Sequence, residues 1–183
     1  MAEASLYRRV LVIGGARSGK SGYAVALAES SHLLPVMLAT AQAADAEMAE
    51  RIARHRAERS SRWITHEEPL DLIGALRRCA APDRIVVVDC ATLWLSNLLS
   101  ARCDLEAEGR ALADELAALS GPVVFVSNEV GYGLVPSSAV GRRFRDAQGR
   151  LNQMLAQACD AVVEVKAGLP LQIKPASLPR IAF

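Results

Sequence analysis

The chain has 183 residues, 51% apolar and 22% charged, the composition of an ordinary soluble globular protein able to bury one sizeable core. A formal net charge of +1 gives no bulk electrostatic case for a nucleic-acid or membrane partner. Four cysteines (Cys79, Cys90, Cys103, Cys159) without C-x-x-C spacing argue against a zinc site or a disulfide framework and fit a reduced cytoplasm. The N-terminal apolar run is too short for a signal peptide or a membrane span. With no internal repeat, low-complexity tract or linker, residues 1–183 read as a single domain.

The first element is the apolar run Arg9-Arg-Val-Leu-Val-Ile13, a predicted strand that breaks into Gly14-Gly-Ala-Arg-Ser-Gly-Lys-Ser21. Helical patterning resumes over Tyr23–Ala28, and Pro35–Thr40 is a second strand. A helix follows over about 44–59, with Met48, Ile52 and His55 on one face. Arg62–His66 is a short strand and 70–79 a helix. The β-branched run Arg84-Ile-Val-Val-Val-Asp89 has the pattern of a buried parallel strand. Helices are predicted over 92–100 and 105–119, a strand over 123–127 after Gly121-Pro122, and an Arg-rich helix over 140–159. Residues 161–165 and 171–174 are terminal strands that a hairpin around Gly168 would join. Strands alternating with helices imply an α/β sandwich with a mainly parallel sheet.

Gly14-x4-Gly19-Lys20-Ser21 fits the phosphate-binding loop, and it stands between a strand and a helix as that motif requires. Glycines let backbone N–H groups turn inward around an anion, and the helix that follows points its positive end at the same place. Lys20 supplies a point charge for β- and γ-phosphates, and the Ser21 hydroxyl is a Mg²⁺ ligand. Asp89, an acid closing a neighbouring buried strand, is the second metal-facing group; alone the pattern is weak, since many strands end in an Asp cap. Ser127-Asn128-Glu129 ends a third apolar strand at the same sheet edge, with simple turn chemistry before Gly131 as the alternative.

His55 admits two interpretations. A histidine on an apolar stripe is most often a hydrogen-bonded core residue. Yet Arg51, Arg54, Arg56, Arg59 and Arg62 surround it. Such cations disfavour imidazolium and keep the ring neutral and nucleophilic. They could also hold a triphosphate for attack at its α-phosphorus. The arginines could equally form a solvated helix face. Only three of the 21 basic residues are lysines, a bias that phosphate recognition and a GC-rich genome explain equally well.

Several segments together resemble one family. They are the loop 14–21, Glu47-Met-Ala-x-Arg-Ile-x-x-His55, Asp89 followed by Thr92-Leu-Trp-Leu-Ser-Asn-Leu-Leu99, Asn128-Glu-Val-Gly131, and Phe144-Arg-Asp-x-x-Gly-Arg-x-Asn152. This set is similar to the bifunctional adenosylcobinamide kinase/adenosylcobinamide-phosphate guanylyltransferases of cobalamin biosynthesis, over about residues 11–174. The resemblance implies a RecA-like phosphate-loop NTPase fold, a three-layer sandwich, assembled into small homo-oligomers such as trimers. It implies two reactions: phosphorylation of the aminopropanol hydroxyl of adenosylcobinamide by GTP or ATP, then transfer of GMP from GTP, through a guanylyl-enzyme, to adenosylcobinamide phosphate. On the family pattern His55 carries the GMP. Gly14, Gly15, Ala16, Arg17, Ser18, Gly19, Lys20 and Ser21 form the GTP phosphate loop. Further nucleotide contacts fall on Ala39, Thr40, Ala41, Arg56, Ala57, Glu58, Arg59, Glu67 and Asp89. Ser21 and Asp89 are the Mg²⁺ positions. Some relatives carry a second histidine beside the nucleophile; Arg54 stands here instead.

Three other functions compete. A generic small-molecule kinase would leave His55 structural. A nucleotide switch would be expected to carry an Asn-Lys-x-Asp guanine motif, which the chain lacks. A RecA-like motor or DNA-binding ATPase is disfavoured by the near-neutral charge and the lack of an aromatic-basic strip.

Overall fold

The structure, a computed structural model, describes residues 7–42, 46, 50 and 59–175. Its elements in chain order are β1 (Arg9–Gly14), α1 (Lys20–Glu29), β2 (Leu34–Ala39), β3 (Ile64–Glu67), α2 (Leu72–Cys79) and β4 (Arg84–Asp89). Then come α3 (Ala91–Ser100), α4 (Leu105–Glu115) with a 3-10 turn at Leu116–Ala118, β5 (Val123–Asn128), α5 (Ala139–Ala158), β6 (Ala161–Lys166) and β7 (Leu169–Lys174). The predicted helix over 44–59 lies outside the described residues except at Ala46 and Glu50, which are helical, and Arg59, which is past the helix.

All seven strands form one sheet in the order β3-β2-β4-β5-β1-β6-β7. Every pairing is parallel except β6 with β7. The central strands read Val/Ile/Leu-rich without alternation because both faces are covered. On one face Val10, Val12, Val87, Val124 and Val126 pack with Ala24 and Ala28 of α1. On the other, Leu11, Val86, Val88, Val123 and Phe125 pack with Leu72 and Leu76 of α2, Trp94 and Leu95 of α3, Leu112 of α4 and Leu151 and Leu155 of α5. This is a three-layer α/β sandwich. Trp94 is fully buried and its Nε1–H donates to the Leu70 carbonyl at 2.9 Å, so the indole satisfies its one polar group.

The helix starts are sharply specified. Asp71, Asp104 and Ser138 each accept N–H groups from the first turn of α2, α4 and α5. Helix α1 has no side-chain cap, and Gly19 leads directly into it. The predicted helix over 105–119 ends early for a visible reason. Buried Arg9 donates from Nε to the Leu116 carbonyl at 2.8 Å and from a terminal nitrogen to that of Leu119 at 2.6 Å, collecting the carbonyls of the tightened turn. At the C-terminal edge the expected hairpin forms, with β7 starting at Leu169. Pro170 is tolerated because β7 is an edge strand. Strand β3 runs 64–67, slightly later than the predicted 62–66.

None of the four cysteines is paired. Cys79, Cys90 and Cys159 are buried, and burial raises all three thiols: Cys90 to about 11, with nearby Asp89 adding to the effect, and Cys159 to about 12, with Asp160 adding. Cys103 is half-buried. With a disulfide-exchange reagent at pH 8, native protein is therefore expected to show one fast thiol, and urea-unfolded protein four. Replacing Cys103 with serine should remove the fast phase.

Candidate nucleotide-phosphate site

The loop 14–19 leaves the carboxyl end of β1 and enters α1 at Lys20. Its geometry requires glycine at two positions. A Cβ on Gly14 would lie 2.5 Å from the Val165 carbonyl oxygen and 2.6 Å from Ser18 Oγ, so β1 can approach β6 this closely only without a side chain. Gly19 has φ +96°, the left-handed region that other residues enter at a cost of about 1–2 kcal/mol. Arg17, exposed at the loop's apex, also has positive φ (56°). From beneath, the β6–β7 turn braces the loop: the Gly168 N–H donates to the Ser18 carbonyl at 2.9 Å.

Lys20 is 7% exposed, and its Nζ donates to the Gly15 carbonyl at 3.0 Å, holding the ammonium inside the loop. Gly15, Ala16, Arg17 and Gly19 are exposed. Ser18 Oγ is buried with no hydrogen-bond partner among the described residues, an orphaned donor of the kind a bound oxyanion would satisfy. The uncapped N-terminus of α1 opens on the same space.

Ser21 Oγ lies 3.4 Å from Asp89 Oδ1, so the two metal-facing groups named from the sequence do meet. They meet although β1 and β4 are not neighbours: β5 runs between them, and α1 crosses over β5 to set its first turn above the end of β4. Two ligands of an ideal Mg²⁺ octahedron, each about 2.0–2.1 Å from the ion, stand about 2.9 Å apart, so this hydroxyl–carboxylate pair fits the ion with little adjustment. No cluster of three or more His, Cys, Asp or Glu exists among the described residues. A hard cation here would therefore take its remaining ligands from water and phosphate, as Mg²⁺ commonly does.

Glu67, Ala39, Asp89 and Val126 stand in register as one row across β3, β2, β4 and β5. Glu67 is exposed at the far end of the row, two strands from Asp89, or about 10 Å. The Ala39 carbonyl accepts the Glu68 N–H at 2.9 Å. Thr40 is turned inward and 0% exposed. Its Oγ1 donates to the Cys90 carbonyl and accepts the Cys90 N–H, and its own N–H donates to the Asp89 carbonyl. Thr40 thus clamps β2 to β4 instead of presenting its side chain to a ligand. Ala41 follows, half-buried. Arg59 donates to Thr65 Oγ1 on β3 at 3.3 Å. His55, Arg56, Ala57 and Glu58 lie outside the described residues.

Composition and spacing did not reveal how the polar residues that stiffen this edge pair with one another. Asn97 Nδ2 donates to the carbonyls of Thr40 and Pro69 at 2.8 and 3.0 Å. Behind β5, Ser127 Oγ donates to Asn152 Oδ1 at 2.6 Å, and Gln148 Nε2 donates to both, 2.9 Å each. Ser127 was visible as a strand-end residue, and Asn97 and Asn152 lie in segments that carry the family resemblance, while Gln148 shows only as an amide four residues before Asn152 on a face of α5 that also carries Leu151 and Leu155.

Residues 10–173 match the sequence profile of the family described as cobinamide kinase / cobinamide phosphate guanyltransferase. The chain is 48% identical over 170 residues to the bifunctional adenosylcobalamin biosynthesis protein CobP of Pseudomonas aeruginosa, covering 91% of this chain and 97% of that protein. It is 39% identical to the bifunctional adenosylcobalamin biosynthesis protein CobU of Salmonella typhimurium, covering 90% and 99%. Among solved structures it resembles the RadB recombinase (TM-score 0.51, 19% identity, 85% of this chain and 72% of that one). It also resembles a structural-study protein from Pyrococcus horikoshii OT3 (TM-score 0.53, 11% identity, 92% and 88%). These likenesses show the fold, a RecA-like sandwich.

The loop geometry separates two glycines. Gly14→Ala should lower stability by about 1–3 kcal/mol through the clash with the β6 backbone and weaken fluorescent-nucleotide binding more than tenfold. Gly22→Ala, where an added Cβ meets nothing within 4 Å, should leave stability unchanged or raise it by up to about 1 kcal/mol. Urea melts and nucleotide titrations of both variants check this.

Proposed function

The chain belongs to the cobinamide kinase / cobinamide phosphate guanyltransferase family, and on that premise we propose that it carries out both reactions. In the first, a nucleoside triphosphate, GTP or ATP, phosphorylates the aminopropanol hydroxyl of adenosylcobinamide. In the second, GTP gives up GMP to His55 with release of pyrophosphate, and the guanylyl group passes to adenosylcobinamide phosphate, forming adenosylcobinamide-GDP. The observation that carries the reading is the convergence of Lys20, Ser21 and Asp89 where the loop enters α1.

Each group has a physical task. The exposed loop amides and the open end of α1 bind the phosphate chain. Lys20 gives up its internal Gly15 contact to neutralise β- and γ-oxygens. Ser21 and Asp89 would hold Mg²⁺, which supplies charge neutralisation of the triphosphate when bound. Ala39, Ala41, Arg59, Glu67 and, by chain proximity, Arg56, Ala57 and Glu58 line the nucleotide's path. Thr40 takes part through the position it gives the end of β2. His55 is the covalent carrier. Four unpaired thiols suit a reduced, cytoplasmic setting, and no helix among the described residues is long and apolar enough to cross a membrane. A small homo-oligomer, a trimer on the family pattern, is favoured by the apolar row Leu169, Leu171 and Ile173 exposed on edge strand β7.

Incubation with α-labelled GTP tests the covalent step. The wild type should take up acid-labile label, as a phosphoramidate requires, and His55→Ala should take up none. Label retained by His55→Ala would move the carrier role elsewhere. Unlabelled wild type that still phosphorylates cobinamide would reduce the protein to a kinase.

A further inference from the structure

Strand β5 separates the loop-bearing strand β1 from β4 and its Asp89, and it ends in Asn128. Register fixes which way that residue faces. Asp89 pairs with Val126, and Val126 packs on the α1 side of the sheet with Val12 and Ala24. Alternation along the strand returns residue 128 to the same face, while Ser127 faces α5. Asn128 therefore stands one pleat repeat, about 6.6 Å, beyond the Asp89 row, in register with Gly14. It lies on the face where Lys20 and Ser21 are found.

Its backbone is held from three directions. The Asn128 N–H donates to Thr92 Oγ1 at 2.8 Å, its carbonyl accepts from Asn152 Nδ2 at 3.1 Å, and the next residue's N–H donates to the Gly14 carbonyl at 2.9 Å. Thr92 and Asn152 are themselves buried, and Asn152 is tied to Ser127 and Gln148. The carboxamide of Asn128, half-buried, makes no hydrogen bond to another described residue. A fixed backbone carrying an uncommitted amide at the mouth of the loop is the arrangement of a preorganised donor.

We infer that Asn128 is a catalytic residue of the phosphoryl-transfer step, its Nδ2–H donating to a non-bridging oxygen of the terminal phosphoryl group. This rests on the kinase and guanylyltransferase reading above. In the step, the acceptor oxygen bonds to the γ-phosphorus as the bond from that phosphorus to the β,γ-bridging oxygen breaks. The nucleoside diphosphate leaves with the electron pair, and the acceptor's proton passes to solvent. Asn128 exchanges no proton; it stabilises charge on the group in flight. A neutral amide suits the place, since a carboxylate there would repel the phosphates. Thr92 and Asn152 are positioning residues that act through the Asn128 backbone.

The test uses full-length wild type, Asn128→Ala and Asn128→Asp with two readouts. In the first, kinase kcat with cobinamide should fall about 100-fold in both variants, with nucleotide KM within about threefold of wild type. Labelling by α-labelled GTP, which reacts at a different phosphorus, should also stay within about threefold of wild type. In the second, GDP with aluminium fluoride, a mimic of the transferring phosphoryl group, should bind the variants at least about 30-fold more weakly than wild type, while GDP alone binds equally well. Unchanged kcat and fluoride affinity would overturn the role, as would a parallel loss of both activities together with GDP binding. Wild type inactive on corrinoid but showing the fluoride contrast would sink the substrate reading and leave Asn128 in place.

Discussion

The site depends on one crossing. Ser21 and Asp89 stand within hydrogen-bond distance only because α1 passes over β5 on its way from the end of β1 to a position above β4. That path starts from a turn with no room for a side chain at Gly14 and a left-handed residue at Gly19. It continues because Ala24 and Ala28, the buried apolar residues of α1, are small enough to let the helix lie close on the valines of β1, β4 and β5. A larger residue at either position would lift the helix and draw the hydroxyl away from the carboxylate.

How much of this was legible in the sequence divides along physical lines. The phosphate loop was legible because its requirements are local: backbone conformations that select glycine, and one cation at a fixed offset. Asp89 was legible because a four-residue β-branched run closed by an acid is a pattern of the strand itself. The α/β sandwich with a mainly parallel sheet followed from strands and helices alternating along the chain, and the three-layer form from the family resemblance. The order of strands did not follow, since nothing in 123–128 says that this segment inserts between β1 and β4. Nothing local marked Arg9 as buried, because its place against the Leu116 and Leu119 carbonyls depends on contacts more than 100 residues away. Thr40 was legible as part of the edge but not in its orientation, which is set by Cys90 across the sheet.

The polar network behind β5 was the least legible part. Gln148 is 0% exposed, and its Oε1 has no partner among the described residues, which carries a penalty of roughly 1–3 kcal/mol. An apolar residue there would be cheaper. A chain selected for stability alone has little reason to place three amide or hydroxyl side chains at the base of one strand end. Their common effect is geometric: together with Thr92 they hold the last residue of β5 by both its N–H and its carbonyl.

Strand alternation then divides the labour between adjacent residues. Ser127 points into the α5 layer, where it meets Asn152 and Gln148, and Asn128 points into the α1 layer beside the loop. Neither residue can exchange its role for the other's, because a one-residue slip of β5 would send the amide into the core and the buried hydroxyl into the cleft. The Glu129 N–H bond to the Gly14 carbonyl opposes such a slip by tying the strand end to the loop. The buried network and the phosphate loop are therefore coupled through a single backbone, and rigidity on one side of the sheet becomes positional accuracy on the other.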